Sequence, residues 1–175
     1  TDPNIVRALQ WQVDFAKEYD VTQVSSFQAG FGTMSMNPFV AGKLAMIVTG
    51  PWDLVYFRQY NESLDFGVAP LPYPENGGVP CTWAGGHSNI IPRGAKHPEE
   101  AYKFLEWLST GDQLAYWNLE TNHIPTIRSV AERKEFVSDP LLKVFIDMLP
   151  NAKNRPVIPV GQTLWDQLVA ATEKA

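Results

Sequence analysis

The feature that most limits the folds open to this chain is a proline- and glycine-rich stretch near its middle, residues 70–87. Prolines stand at positions 70, 72, 74 and 80, and proline interrupts both helices and the central strands of sheets. The stretch therefore predicts a long irregular connection. Connections of this length are uncommon in compact domains, where they are usually functional loops or crossings between lobes.

Helices are predicted on both sides of this stretch, and they outnumber the predicted strands, which lie between them. Asp2 as N-cap and Pro3 as first helical residue signal a helix that extends to about Tyr19. A strong helix is predicted from Pro98 to a terminating Gly111. A loop is predicted at residues 20–37, strands at 44–48, 65–69 and 88–91, and further helices near 53–60, 112–119, 128–136, 139–149 and 162–175. Because the strands lie between helices, the predicted class is α/β.

Composition excludes several classes of partner. The net charge is −5, and no cluster of basic residues is present, which argues against nucleic acid and anionic membrane surfaces. No apolar run approaches the roughly 18 residues that a membrane-spanning helix requires. Cys81 is the single cysteine, so an internal disulfide and a cysteine-built zinc site are both excluded.

The sequence contains no motif for catalysis or metal binding. "AGFGTM" at residues 29–34 has two glycines in dinucleotide-binding spacing but lacks the third. His87 adjoins Ser88, and adjacency in sequence does not aim a base at a nucleophile. His87, His97 and His123 lie in different segments without the spacing of metal ligands. By elimination we predict no catalytic residue, no metal and no cofactor.

The tryptophans are the strongest candidates for contacts with a ligand. Trp52 follows an apolar run and a glycine in "FVAGKLAMIVTGPWDL", residues 39–54. It would lie at the end of a strand, where α/β folds bind ligands, or it would anchor the next helix in the core. Trp165 lies on a predicted helix beside Leu164 and Leu168, so it belongs either to a core stripe or to a ligand site.

Other candidates adjoin these tryptophans or lie in the irregular stretch. Trp83 lies in an irregular, glycine-rich segment, so it does not belong to a stripe of apolar residues that would pack into the core. Gly85 and Gly86 would let a ligand approach the backbone closely. Asp53 could accept hydrogen bonds from ligand hydroxyls, although a residue at a helix start equally serves as a cap. Gln162 is a further polar candidate.

Several motifs occur in the order found in one known family. Residues 39–52 read F-x-x-G-K-x-A-M-x-x-x-G-x-W, which resembles the signature of family 1 extracellular solute-binding proteins, the sugar-binding receptors of bacterial ABC importers. "PEEAYKFLEWLSTGDQLAYW" and "NHIPTIRSV" resemble two later segments of that family. In the second of these, Asn122 and His123 stand near the usual glycine position. "IPVGQTLWDQL" resembles the C-terminal segment of the maltodextrin-binding branch.

The resemblance implies a two-lobed, periplasmic-binding-protein-like α/β fold of type II, with a hinge between the lobes. Family members are far longer than this chain, so we expect it to correspond to the C-terminal half, mainly the second lobe. The expected segments are a second-lobe part at 1–69, a hinge crossing at 70–86, a returning first-lobe segment at 87–118 and a second-lobe C-terminal part at 119–175.

The resemblance also implies a function, a partner and a location. The expected protein is a monomer that binds a carbohydrate or sugar-like solute and delivers it to ABC permease subunits. It would be periplasmic, or an extracellular lipoprotein anchored to the cell membrane. The resemblance places Trp52 at the family's sugar-stacking position and Trp165 near the sugar. Arg128 matches a position that reaches the ligand in some members, and otherwise it would form a surface salt bridge.

Two other classes of function stay open. A glycan-acting hydrolase would need two carboxylates about 5 to 10 Å apart in a cleft. Asp53 and Asp166 are the pair to consider, because each neighbours a candidate tryptophan. A structural or interaction domain would bind no saccharide.

Overall fold

The computed structural model describes residues 2–29, 37–75 and 78–174, and these ranges form a mixed, helix-rich structure. Two short strands, β1 (Thr82–Trp83) and β2 (Ala152–Lys153), run parallel, with Thr82 opposite Ala152. A 3-10 helix (Leu149–Asn151) precedes β2. The helices are α1 (Pro3–Glu18), α2 (Val21–Ala29), α3 (Asp53–Tyr60), α4 (Pro98–Leu108), α5 (Gly111–Thr121), α6 (Arg128–Ala131), α7 (Lys134–Val137), α8 (Pro140–Met148) and α9 (Gly161–Lys174). Among these described helices, none has both the length and the apolar character needed to cross a bilayer.

The chain forms two compact units, one of Thr1–Asn37 with Arg155–Ala175 and one of Pro38–Asn154. In the first unit, α1 begins as predicted, because the Asp2 carboxylate accepts a 2.8 Å hydrogen bond from the Asn4 backbone N–H. Exposed rings then follow one another along this helix and its C-terminal end, at centroid distances of 5.4 and 4.6 Å, namely Trp11, Phe15 and Tyr19.

The central cluster of the core in the second unit takes one buried residue from each of five helices. These residues are Leu54 of α3, Ala115 of α5, Val130 of α6, Phe136 of α7 and Leu142 of α8. Helices α6 and α7 have four residues each, and helices this short do not persist alone in water. Burial of their apolar residues in the shared core therefore stabilises them.

Three phenylalanines pack the chain before α3 against that helix. The rings of Phe39 and Phe57 have centroids 5.1 Å apart, and Phe66 meets both edge-on at 5.9 and 5.5 Å. The Asn61 side-chain amide also donates a 2.9 Å hydrogen bond to the Val40 carbonyl. These contacts fix the two ends of the segment that contains the first candidate tryptophan.

The predicted loop at residues 20–37 is wrong over its first part, because α2 occupies Val21–Ala29. The polar composition of this segment suggests a loop, but the segment contains the start of a helix. Asp20 accepts a 3.4 Å hydrogen bond from the Gln23 backbone N–H, as an N-cap residue does. Residues 30–36, with most of the "AGFGTM" segment, lie outside the described residues.

The predicted role of Gly111 as a helix terminator is also wrong, because Gly111 is the first residue of α5. Helix α4 ends earlier, at Leu108. There the Ser109 hydroxyl donates to the Leu105 carbonyl at 2.7 Å, and the Thr110 hydroxyl donates to the Trp107 carbonyl at 2.6 Å. These hydroxyls satisfy carbonyls at the helix end, so no glycine is required.

The predicted strand at residues 44–48 does not form. The backbone of the segment pairs with no strand among the described residues, and a strand exists only as part of a ladder. Met46 and Val48 are 83% and 75% exposed, so the apolar run is not buried in the described structure.

The other two predicted strands are absent for the same reason. In residues 65–69, Phe66 and Val68 pack against the core while their neighbours face outward. Residues 88–91 leave Ile90 exposed. Within the described ranges, the strand pairing is that of β1 with β2.

Candidate functional site

Trp52 lies in a tight turn that leads into α3. The Asp53 backbone N–H donates to the Gly50 carbonyl at 3.3 Å, and the Leu54 N–H donates to the Pro51 carbonyl at 3.1 Å. A Cβ atom built on Gly50 would overlap the six-membered ring of Trp52. Glycine at position 50 therefore lets the indole fold back over the backbone, and it leaves Trp52 40% exposed.

His123 lies beside the indole ring of Trp52. The two ring centroids are 6.1 Å apart and the ring planes are inclined by 27°. Rings in full face-to-face contact would be separated by only about 3.5 to 4 Å, so these two rings are offset. The pair presents adjoining ring surfaces, an arrangement that aromatic pairs favour.

The end of α5 determines the position of His123. Asn122 adopts a left-handed conformation with φ 48° and ψ 36°. Its N–H donates to the Leu119 carbonyl at 3.4 Å, and the His123 N–H donates to the Asn118 carbonyl at 3.0 Å. This is the Schellman pattern of a helix C-terminus, with asparagine in the place that glycine usually takes. The backbone at His123 is therefore fixed by helix capping.

Asp53, the residue after Trp52, is buried, with 7% of its area exposed. Its Oδ2 accepts a 2.6 Å hydrogen bond from the Thr49 hydroxyl. Its Oδ1 is buried without a partner, as is Nδ1 of His123. These are the two buried side-chain polar atoms without a partner in the described part of the chain. Both belong to neighbours of Trp52, since Asp53 follows it in sequence and His123 lies beside its ring. Such atoms are rare in folded proteins and are associated with functional sites.

His87 adds a second imidazole to this cluster. Its ring centroid is 6.5 Å from that of His123, and the planes are inclined by 59°. The sequence contains no spacing that would relate the two histidines, because the chain between them passes through two helices. The sequence motif distinguishes position 123 by its place near a usual glycine position, which does not indicate a ligand contact. His97, the third histidine, lies at the start of α4.

Four predicted site residues lie elsewhere in the second unit. Trp83 is in β1 and exposed, and a Cβ on Gly85 would overlap its ring. The space beside Gly86, the residue before His87, is open. Arg128 is the first residue of α6, and it is exposed. Their roles in ligand binding stay predictions.

Trp165 and Gln162 lie in the first unit, on α9, and both are exposed. The Arg155 guanidinium carbon lies 3.7 Å from the centre of the Trp165 ring, which is a cation–π contact. The Gln162 amide donates a 2.8 Å hydrogen bond to Asp166. Trp165 thus has one face covered by a cation, and its role in ligand binding also stays a prediction.

A cavity of about 320 Å³ lies between the irregular stretch and α8. Pro70, Cys81, Val144 and Met148 are among the residues that line it, and none of the predicted site residues does. The described residues also hold no group of three or more His, Cys, Asp or Glu side chains arranged to bind a metal ion. The aromatic surface of Trp52 and His123 is therefore the better candidate for a binding site.

Comparison with known proteins connects this geometry to one family. Residues 1–144, which include Trp52, His87 and His123, match the profile of the family described as bacterial extracellular solute-binding protein. The chain is 29% identical over 137 residues to the maltooligosaccharide ABC transporter solute-binding lipoprotein of Streptococcus pneumoniae, covering 78% of this chain and 32% of that protein.

Two further matches agree. The maltodextrin-binding protein MdxE of Bacillus subtilis is 28% identical over 127 residues, which is 73% of this chain and 30% of that protein. The solved structure of CpMnBP1 with mannobiose bound superimposes with a TM-score of 0.76 at 30% identity, covering 88% of this chain and 40% of that one. The chain therefore spans about a third of the length of the curated relatives it matches. The predicted family is confirmed: the chain belongs to the bacterial extracellular solute-binding proteins.

Proposed function

We propose that this protein binds a carbohydrate or sugar-like solute in a cleft between two lobes and delivers it to the permease of an ABC importer. The observation that carries this proposal is the exposed Trp52 ring, offset-stacked with His123 and next to the buried Asp53 carboxylate. The names of the relatives support the ligand class, because they refer to maltooligosaccharide, maltodextrin and mannobiose.

The chemistry of a sugar suits such a surface. A pyranose ring offers an apolar C–H face that can stack on an indole, and a rim of hydroxyls that require hydrogen-bonding partners. In this proposal Trp52 supplies the stacking face. Trp83 and Trp165 supply further stacking faces, and Asp53, Arg128 and Gln162 supply polar partners. Gly85 and Gly86 allow a close approach to the backbone.

The proposed architecture is the two-lobed type II fold. Residues 1–69 and 119–175 would belong to the second lobe, residues 87–118 to the first lobe, and the proline-rich residues 70–86 to the hinge crossing. A solute that contacts both lobes binds the closed state more tightly than the open state, so it shifts the population toward closure. The closed form would then dock on the permease subunits.

The proposed location follows from the family, whose members are extracellular. The Streptococcus pneumoniae relative is a lipoprotein. This protein would accordingly act in the periplasm or as a lipoprotein anchored to the cell membrane, as a monomer, without enzymatic activity.

Calorimetric titration of the full-length protein with mannobiose and maltotriose, followed by chromatography of the mixture, tests the proposal. We expect saturable binding and unchanged saccharide. Release of shorter saccharides would instead support a glycan hydrolase, in which Asp53 and Asp166 would be the carboxylates to replace. Lack of binding to a wide panel of saccharides would support an interaction domain.

A further inference from the structure

The Trp52–His123 surface is larger than one aromatic ring. The centroid distance of 6.1 Å and the inclination of 27° describe an offset stack of the imidazole on the indole, which is 40% exposed. The turn containing Gly50 and Pro51 positions Trp52, and the Schellman motif at the end of α5 positions His123. Both rings are therefore held by backbone structure, and little conformational entropy is lost when a ligand stacks on them.

The imidazole of His123 is itself half-buried. Its Nδ1 is buried and has no partner among the described residues. The His87 ring, inclined by 59° and 6.5 Å away, borders the His123 ring. The indole, which carries a polar N–H, is thus followed by two imidazole rings, first that of His123 and then that of His87. Such a surface distinguishes between the parts of a ligand that lie on it.

We propose that His123 is a specificity-determining residue, which binds the part of the saccharide that extends beyond the sugar ring stacked on Trp52. This inference rests on the proposed function. In this inference, His123 contacts a longer saccharide but not a monosaccharide that is stacked on Trp52. His87 supports the position of the His123 ring and forms the edge of this second contact.

The test compares a short ligand with a longer one in the full-length protein. The affinities of mannose and mannobiose, and of glucose and maltotriose, are measured by calorimetry for the unmodified protein and for His123→Ala. We expect His123→Ala to weaken binding of mannobiose or maltotriose about tenfold, the effect of losing one aromatic contact. Binding of the corresponding monosaccharide should change less than about threefold.

Two further variants separate the ring from its polar atoms. His123→Phe keeps an aromatic surface and should retain most of the affinity for the longer ligand, whereas His123→Gln keeps polar atoms without a ring and should behave like His123→Ala. His97→Ala is the matched control, because His97 is an exposed histidine at the start of α4. It should bind every ligand as the unmodified protein does.

Equal weakening of the short and the long ligand by His123→Ala, or no weakening of either, would overturn the inference. A fall in melting temperature for His123→Ala that His123→Phe does not restore would also overturn it, by assigning His123 a structural role. If the unmodified protein binds none of the four saccharides, the proposed function itself fails. If Trp52→Ala abolishes binding while His123→Ala has no effect, only the inference about His123 fails.

Discussion

The rings of Trp52 and His123 lie with their centroids 6.1 Å apart, although one residue precedes α3 and the other follows α5. The helices that hold them share a core, because Leu54 of α3 and Ala115 of α5 belong to the same buried cluster. The same packing that stabilises the second unit therefore also assembles the candidate binding surface. Changes confined to the exposed faces of the two rings should affect ligand binding more than they affect folding.

Gly50→Ala should weaken saccharide binding about tenfold or more. The new methyl group would overlap the outer atoms of the Trp52 ring, so the indole must rotate away from its present position. Because a side chain can move at low cost, the free energy of unfolding should change by less than about 1 kcal/mol. Titration and urea unfolding of the same variant measure both quantities.

The control for this variant is Gly67→Ala. A Cβ atom at Gly67 meets no atom within 4 Å, and neither glycine needs a positive φ. Gly67→Ala should leave the affinity unchanged. Equal loss of affinity in both variants would show that the orientation of the indole over Gly50 is irrelevant to binding.

Thr49→Val should destabilise the protein by about 1.5 to 3 kcal/mol, the usual contribution of a hydrogen bond to a charged group. The substitution removes the 2.6 Å hydrogen bond to Asp53 Oδ2 and leaves the shape of residue 49 nearly unchanged. Since Oδ1 already lacks a partner, the buried carboxylate would then have no side-chain hydrogen bond.

Urea unfolding measures this effect, and Thr172→Val is the matched control. The Thr172 hydroxyl donates to the Leu168 carbonyl at 3.0 Å, but on the exposed surface of α9. Its loss should change the free energy of unfolding by less than about 0.5 kcal/mol. A Thr49→Val protein as stable as this control would contradict the importance of the Thr49–Asp53 contact.

The sequence predicts the helical part of the second unit well and the binding surface only in part. Pro98 and Pro140 start the helices where they are expected, because proline is well suited to a first helical turn. Trp52 was a candidate because it follows a glycine turn. His87 and His123 were not candidates, because their proximity depends on how α3, α5 and the irregular stretch pack, which local patterns do not encode.

The predicted strands show a different limit. Phe66 and Val68 face the core with the alternation that is typical of a strand, but alternation describes only which side chains are buried. Formation of a strand also requires a neighbouring backbone. That requirement concerns another segment of the chain, so the sequence of residues 65–69 does not decide it, and the predicted strand is wrong.

The ion pair of Asp139 with Arg58 should make stability depend on pH. Burial raises the pKa of Asp139, but the 2.7 Å hydrogen bond from Arg58 and the N–H groups of Leu141 and Leu142 outweigh it, so the pKa lies below its ordinary value of 3.8. The unfolded chain therefore takes up the proton more readily than the folded protein does. The resulting stabilisation is complete above the ordinary pKa, and it is lost as the pH falls through the lowered one.

Asp139→Asn tests this dependence, because asparagine also caps helices but carries no charge. The unmodified protein should be more stable than Asp139→Asn at about pH 7, by up to about 1 kcal/mol for an exposed pair, and the difference should shrink at about pH 3. Asp139→Ala should cost about 1 kcal/mol more, since it also removes the cap of α8. A difference between Asp139→Asn and the unmodified protein that does not vary with pH would contradict this assignment.

The most direct test of the central claim is the saccharide affinity of Trp52→Ala in the full-length protein, measured by calorimetry with mannobiose and maltotriose beside its melting temperature. We predict a loss of affinity of at least about thirtyfold with a melting temperature within about 2 °C of the unmodified protein. Trp11→Ala, which removes another exposed tryptophan, should bind normally. Unchanged affinity of Trp52→Ala, or a large fall in its melting temperature, would contradict the claim that Trp52 supplies the stacking face of a saccharide site.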